Sequence, residues 1–175
     1  MVLMHTLIHS HLINLNINIM SLIVGQQAPD FKLADKEKKE RTLSEFRGKN
    51  VVLFFFPMDW TGTCTKEMCA IEEDYKSYNT LNAVPIGVSV DTLFAHRRFS
   101  EDYHLDHVLL LSDFNKEAIH AYGVVHHDFN WGYKDVAKRA TFVIDKEGII
   151  RYIEILPNLG DFPNLDDVRK VLSSL

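Results

Sequence analysis

The sequence predicts an α/β fold: a mixed sheet with helices on both faces. Three observations carry that reading. Residues 51–56 are continuously apolar between Asn50 and Pro57, as in a strand covered on both sides. Within residues 62–78, Met68, Ile71, Tyr75 and Tyr78 step by three, four and three, the stripe of an amphipathic helix. Residues 140–144 and 149–155 flank the turn Asp145-Lys146-Glu147-Gly148 and read as an antiparallel hairpin. A chain of 175 residues, 46% hydrophobic and 25% charged, suits one globular domain. At that size folding buries about two-thirds of the unfolded surface, so the core needs no disulfide or metal.

The remaining elements follow in order. Residues 14–19 alternate polar and apolar, the period of an edge strand. The first thirty positions hold no Lys or Arg and no clear small-residue cleavage site, so a secretory signal is not expected. The globular pattern begins just after Met20, an alternative start. Residues 1–19 are therefore expected to be a dispensable extension, and residues 20–175 the domain. Residues 31–33 and 41–43 flank a charged turn and predict a small hairpin. Ser44 is placed as the cap of a short helical turn ending near Gly48. Beyond the long helix at 62–78 come a buried strand at 84–90, a polar helix at 92–103 and a third strand at 108–111. A short helix at 115–122 is stopped by Gly123, and a helix at 165–172 closes the chain. The order is a thioredoxin-like arrangement.

Composition narrows the partners. The balance of 19 Lys+Arg against 24 Asp+Glu, net charge -5, argues against nucleic acid, whose phosphates need a basic face. No apolar run approaches the ~20 residues of a membrane span. Two cysteines are too few for a secreted disulfide framework, which points to the cytoplasm. His5, His9 and His11 have no acidic or cysteine neighbour in sequence, and His104, His107, His120, His126 and His127 match no ligand spacing, so no metal is expected. The acidic run Glu72-Glu73-Asp74 reads as a solubilising surface.

Chemistry concentrates where the central strand meets its helix, at Pro57-Met58-Asp59-Trp60-Thr61-Gly62-Thr63-Cys64. Ligands of open α/β sheets gather at the carboxyl ends of the strands. Cys64 falls in the first helical turn, where free N–H groups and the macrodipole favour an anion. A thiol near its usual ~8.5 is only about 3% ionised at neutral pH, and bringing a thiol to ~6 takes about 3.4 kcal/mol. A helix terminus supplies ~0.3–2 kcal/mol, so a hydroxyl such as Thr61 and a guanidinium are the natural helpers. Position alone leaves Cys64 equally readable as packing, because it extends the stripe that includes Met68.

Pro57-x-x-x-Thr61-x-x-Cys64 is the active-site signature of the peroxiredoxins, and the chain resembles that family over most of its length. Val24-Gly25-Gln26-Gln27-Ala28-Pro29-Asp30-Phe31, Leu111-Ser112-Asp113, Ala121-Tyr122-Gly123-Val124 and Arg139-Ala140-Thr141-Phe142-Val143-Ile144-Asp145 also match, in order. Cys69, five residues after Cys64, makes it most similar to the bacterioferritin-comigratory (Q-type) branch. The resemblance implies reduction of hydrogen peroxide or organic hydroperoxides by a thiol, without a cofactor, in a monomer or homodimer. It implies Cys64 as the peroxidatic nucleophile, passing through a sulfenic acid. Thr61 would hydrogen-bond thiolate and peroxide, Pro57 would shield the sulfur, and Arg139 would be the cationic partner. The implied reductant is thioredoxin-like or another thiol.

Cys69 is expected to resolve the sulfenic acid, but not in place. Five residues along an ideal helix separate Cα atoms by roughly 8.7 Å, against ~4.4–6.8 Å in a disulfide, so the first turns would have to unwind. The alternative is a packing residue with an external thiol as resolver. Glu67 could order the arginine, although an exposed helical position is the commoner fate. Trp60 and Trp131 could wall the pocket or serve as ordinary packing. Two other functions compete: a thioredoxin-type disulfide reductase, disfavoured because it wants Cys-x-x-Cys, and a non-enzymatic chaperone-like protein with inert cysteines.

Overall fold

The computed structural model describes residues 21–175. The expected strand at 14–19, the extension at 1–19 and the three early histidines lie outside the described residues.

Two antiparallel strands, β1 (Lys32–Asp35) and β2 (Glu40–Thr42), form the predicted first hairpin. A 3₁₀ turn over Leu43–Phe46 follows. Its N-cap is Thr42, not Ser44: Glu45 accepts the Thr42 N–H at 3.0 Å, and Ser44 sits inside the turn with its own N–H on Asp30. The acid three residues beyond Thr42 completes a capping box that Ser44 lacks.

The central strand β3 (Asn50–Phe55) is buried at all six positions. Its alternation divides the core. Val51, Leu53 and Phe55 join Ala118, Ile119 and Tyr122 on one face. Val52 and Phe54 join Met68, Ile71, Tyr78, Phe99 and Val168 on the other. Each such side chain contributes ~1.5–3 kcal/mol by leaving water, which fixes β3 and hence the loop that leaves it.

The predicted helix at 62–78 is two helices, α1 (Gly62–Glu73) and α2 (Tyr75–Thr80). Asp74 breaks it with φ -89° and ψ 7°. The carboxylate of Asp74 is held at 2.6 Å by Arg169, and that of Glu72 accepts the N–H groups of His107 and Val108 at 2.9 and 3.0 Å. Glu72 and Asp74 therefore anchor the end of α1, while Glu73 between them is exposed, as expected of a solubilising surface.

The order continues with β4 (Ala83–Ser89), α3 (Leu93–Tyr103), β5 (Leu109–Ser112) and α4 (Glu117–Ala121). Then come β6 (Val125–Asp128), β7 (Lys134–Ala137), β8 (Ala140–Ile144), β9 (Ile150–Ile155) and α5 (Leu165–Leu172). The seven-stranded sheet runs β2-β1-β5-β4-β3-β8-β9, parallel at β3–β4–β5 and antiparallel elsewhere. Gly87 in β4 lets α1 lie close: a Cβ there would meet the Met68 Sδ at 2.9 Å. The β6–β7 ribbon is a separate two-stranded sheet where the sequence reading has only a loop, and its polar strands hid it. Among the described residues, no helix is long and apolar enough to cross a membrane.

Candidate active site

The strand-to-helix junction β3–α1 delivers the site. Phe56 continues β3 by giving its N–H to Val88 O at 3.1 Å, and the chain then turns through Pro57 to Thr61, the N-cap of α1. Cys64 is the third residue of α1, within the turn of unpaired N–H groups. Its residue is only 1% exposed.

Arg139 reaches it from the far side. Its position just before β8 is fixed by its backbone carbonyl, which accepts the Leu156 N–H at 2.9 Å. The guanidinium is buried, with Nη2 donating to Cys64 Sγ at 3.2 Å and to Leu159 O at 3.0 Å. Nη1 donates to the Glu67 carboxylate. Five planar donors and a fixed charge let one arginine hold a sulfur, a carbonyl and a carboxylate together, which a lysine could not do.

Glu67 is completely buried, so the expected exposed position is corrected. Positions 64, 67, 68 and 71 form one face of α1, and that spacing is the signal that could have placed it. Burial pushes the Glu67 carboxyl up to about 7, against the pull of Arg139, and its Oε1 has no partner among the described residues. Burial alone would loosen the Arg139 proton, yet Glu67 and Cys64 outweigh it and hold the arginine pKa above its ordinary value.

Thr61 does not spend its hydroxyl proton on the sulfur: Oγ1 donates to Met58 O at 2.9 Å. Pro57, Thr61, Gly62, Phe129, Trp131 and Arg139 line a cavity of about 290 Å³ that opens onto the site. Trp131 is its outer wall, 77% exposed and held at φ +61° in the β6–β7 turn. Trp60 is not a wall; it packs edge-on against Phe99 at 5.4 Å. A hollow of about 350 Å³ between Leu33, Phe94 and Phe114 holds neither cysteine nor a buried cation, so chemistry rather than volume marks the site.

Cys69 lies on the same unbroken helix, half-buried, and both sulfurs are free thiols. Burial, then the charges of Glu73 and Glu72, hold the Cys69 thiol above its usual pKa. His107 stacks on Tyr75 at 4.0 Å and pairs with Glu72, while His127 pairs with Asp135.

A thioredoxin-like sheet presenting a helix-start cysteine to a buried arginine defines a cysteine-based redox enzyme. Residues 24–153 match the AhpC/TSA family. Peroxiredoxin Bcp of Bacillus subtilis is 39% identical over 130 residues, covering 74% of this chain and 82% of the relative. The chloroplastic Peroxiredoxin Q of Triticum aestivum is 38% identical over 134 residues, covering 74% and 57%. Among solved structures, a peroxiredoxin-like protein from Aquifex aeolicus superposes with TM-score 0.79 at 28% identity over 88% of each chain. Peroxidoxin BcpB from Mycobacterium tuberculosis gives TM-score 0.76 at 28% identity, covering 87% and 97%. The chain belongs to the AhpC/TSA family, as a peroxiredoxin of the Bcp/Q type. It is a thiol-dependent peroxidase, with a peroxide as oxidant and a thiol as reductant.

Proposed function

We propose that Cys64 is the sulfur that attacks the peroxide. The observation that carries this is the Arg139 guanidinium donating to Cys64 Sγ at 3.2 Å at the start of α1. A permanent cation and free N–H groups both stabilise an anion at that point. The thiolate takes the near oxygen, the O–O bond breaks, and the departing oxygen leaves as alkoxide or hydroxide and gains a proton. Cysteine becomes sulfenic acid. Charge builds along the S–O–O line, where the Arg139 donors supply stabilisation. Thr61 Oγ1, its proton held by Met58 O, accepts the peroxide O–H and orients it. Pro57 shields the sulfur from water. Rapid mixing with hydrogen peroxide tests the assignment: Cys64→Ser should abolish fast consumption, and parental turnover in that variant would overturn it.

Cys69 then resolves the sulfenic acid, forming a disulfide and releasing water, and a thioredoxin-type dithiol reduces it. On an ideal helix the two Cα atoms are about 8.7 Å apart, so the first turns of α1 unwind in this step. The raised Cys69 pKa favours a second reading, in which Cys69 packs and an external thiol resolves. Mass spectrometry after one equivalent of peroxide separates them: an intramolecular disulfide supports the first, a persistent sulfenic acid the second.

Sulfur chemistry balances these steps alone, so no metal or organic cofactor is invoked. We place the reaction in the cytoplasm, where a two-cysteine enzyme meets reduced thiols, acting as a monomer or homodimer without nucleic acid or membrane. Residues 1–19 are proposed to be dispensable, since the family match begins at residue 24. A chain starting at Met20 should keep its turnover, and loss of activity would contradict this.

A further inference from the structure

Behind the active-site loop lies a second polar cluster that the peroxidase chemistry above does not use. Asp59, between Pro57 and Thr61, and His96 of α3 both have side chains fully withdrawn from water. His96 Nδ1 stands 2.9 Å from Asp59 Oδ2, and His96 Nε2 stands 3.2 Å from Leu111 O.

The proton count of this pair follows from its partners. A carbonyl oxygen only accepts, so Nε2 bonds Leu111 O only when it carries a hydrogen. A neutral imidazole then has a lone pair at Nδ1, and a lone pair facing a carboxylate at 2.9 Å in a dry interior is repulsive. Making both contacts at once takes one further proton between them, either on Nδ1 with Asp59 ionised or on Oδ2 with His96 neutral.

We propose that Asp59 and His96 are a positioning pair whose shared proton fixes the loop carrying Pro57 and Thr61 in the geometry that Cys64 needs. The proposal rests on Cys64 being the reacting sulfur. α3 acts as a ruler: His96, Phe99 and Asp102, three residues apart, all meet this loop. His96 binds Asp59, Phe99 packs on Trp60, and Asp102 Oδ2 accepts the Trp60 indole N–H at 3.4 Å. The loop is held against its own preference, because Trp60 sits at φ +56°. The groups facing the pair are Asp91 after β4, Leu111 O on β5 and the Phe56 ring, 6.2 Å from the imidazole. Asp91 Oδ2 accepts the Asp59 N–H at 2.9 Å and the Ser89 hydroxyl at 2.6 Å. Burial is the main cause that raises the Asp59 pKa, with Asp91 adding to it and His96 opposing. That direction agrees with a retained proton.

Loss of the proton at alkaline pH sets lone pair against carboxylate and releases the loop. Asp59→Asn is the informative change, since an amide N–H donates to Nδ1 of a neutral His96 with no proton to lose. In the full chain, the rate with hydrogen peroxide is measured from mildly acidic to alkaline pH. The parent should show an alkaline fall in rate. Asp59→Asn should stay within about threefold of the parent at neutral pH and lack that fall, whereas Asp59→Ala should lose about tenfold or more throughout. An Asp59→Asn profile that superimposes on the parent's, or Asp59→Ala at the parental rate, overturns the proposal. NMR of the parent needs no variant: the His96 ring nitrogens and the Asp59 carboxyl carbon report where the proton is. A proton on Nδ1 or on the carboxyl at neutral pH is expected, and an ionised Asp59 beside a neutral His96 would refute it. Peroxide turnover surviving in Cys64→Ser would sink the assignment of the sulfur while leaving the NMR result standing.

Discussion

Cys64 and Cys69 share one helix, five residues apart, and their surroundings oppose each other. Cys64 is sealed at the positive end of α1, with the Arg139 guanidinium on its sulfur. Cys69 is half-buried farther along, where burial first, then the charges of Glu73 and Glu72, hold its thiol up. Burial and like charge thus work against an anion at Cys69, whereas the Cys64 sulfur has a guanidinium within hydrogen-bond reach. What differs is which charges the fold brings in: Arg139 comes from 75 residues away, ahead of β8, while the acids at 72 and 73 are local. The division also suits the sequential roles proposed above, in which Cys69 would act only after the turns around it had loosened.

The sharpest break of this contrast is Cys64→Ser, which should remove fast peroxide consumption altogether in a stopped-flow assay, while Cys69→Ser keeps the first turnover. Next in size, Arg139→Ala should slow the first step by about 10²–10³-fold, the usual loss when an anion-stabilising donor is removed. Arg139→Lys should recover only part of it, because a point charge cannot serve sulfur, Leu159 O and Glu67 at once. Smaller again, Cys69→Ser should slow steady-state turnover with a dithiol reductant by about tenfold, as exchange must start from the sulfenic acid rather than a disulfide.

The smallest effect concerns Glu67. Its folded-state carboxyl titrates at about 7, above the ordinary range near ~4.3, so the folded protein keeps a proton that the unfolded chain has lost. Its contribution to stability is whole at pH below the unfolded value and is lost as pH rises through about 7. Urea unfolding should show the parent losing on the order of 1–3 kcal/mol across that window, with Glu67→Gln flattening the slope. An unchanged slope in Glu67→Gln would mean that Glu67 stays ionised beside Arg139.

Much of this was legible in the sequence for physical reasons. The run at 51–56 can only be covered on both faces, and β3 is buried throughout. Thr92 caps α3 by accepting the Ala95 N–H at 3.2 Å, within a residue of the expected start. The pairing of Arg139 with Cys64 was foreshadowed by motif, not by pattern. What stayed hidden depends on distant partners. Nothing near Asp74 announces Arg169, so the break between α1 and α2 was invisible. Val125–Asp128 and Lys134–Ala137 are too polar to read as strands, yet they pair and hold Trp131 at the mouth of the site. Asp59 and His96 are 37 residues apart and polar, and only the packing of α3 on the loop brings them together.

The central claim is that Cys64 alone takes the oxygen from the peroxide. Its most direct test uses Cys69→Ser protein, one equivalent of hydrogen peroxide and a sulfenic-acid trap such as dimedone, followed by peptide mass spectrometry. A stoichiometric adduct on Cys64 is expected, much reduced in the same protein carrying Arg139→Ala. An unmodified Cys64 after the peroxide has been consumed would contradict it.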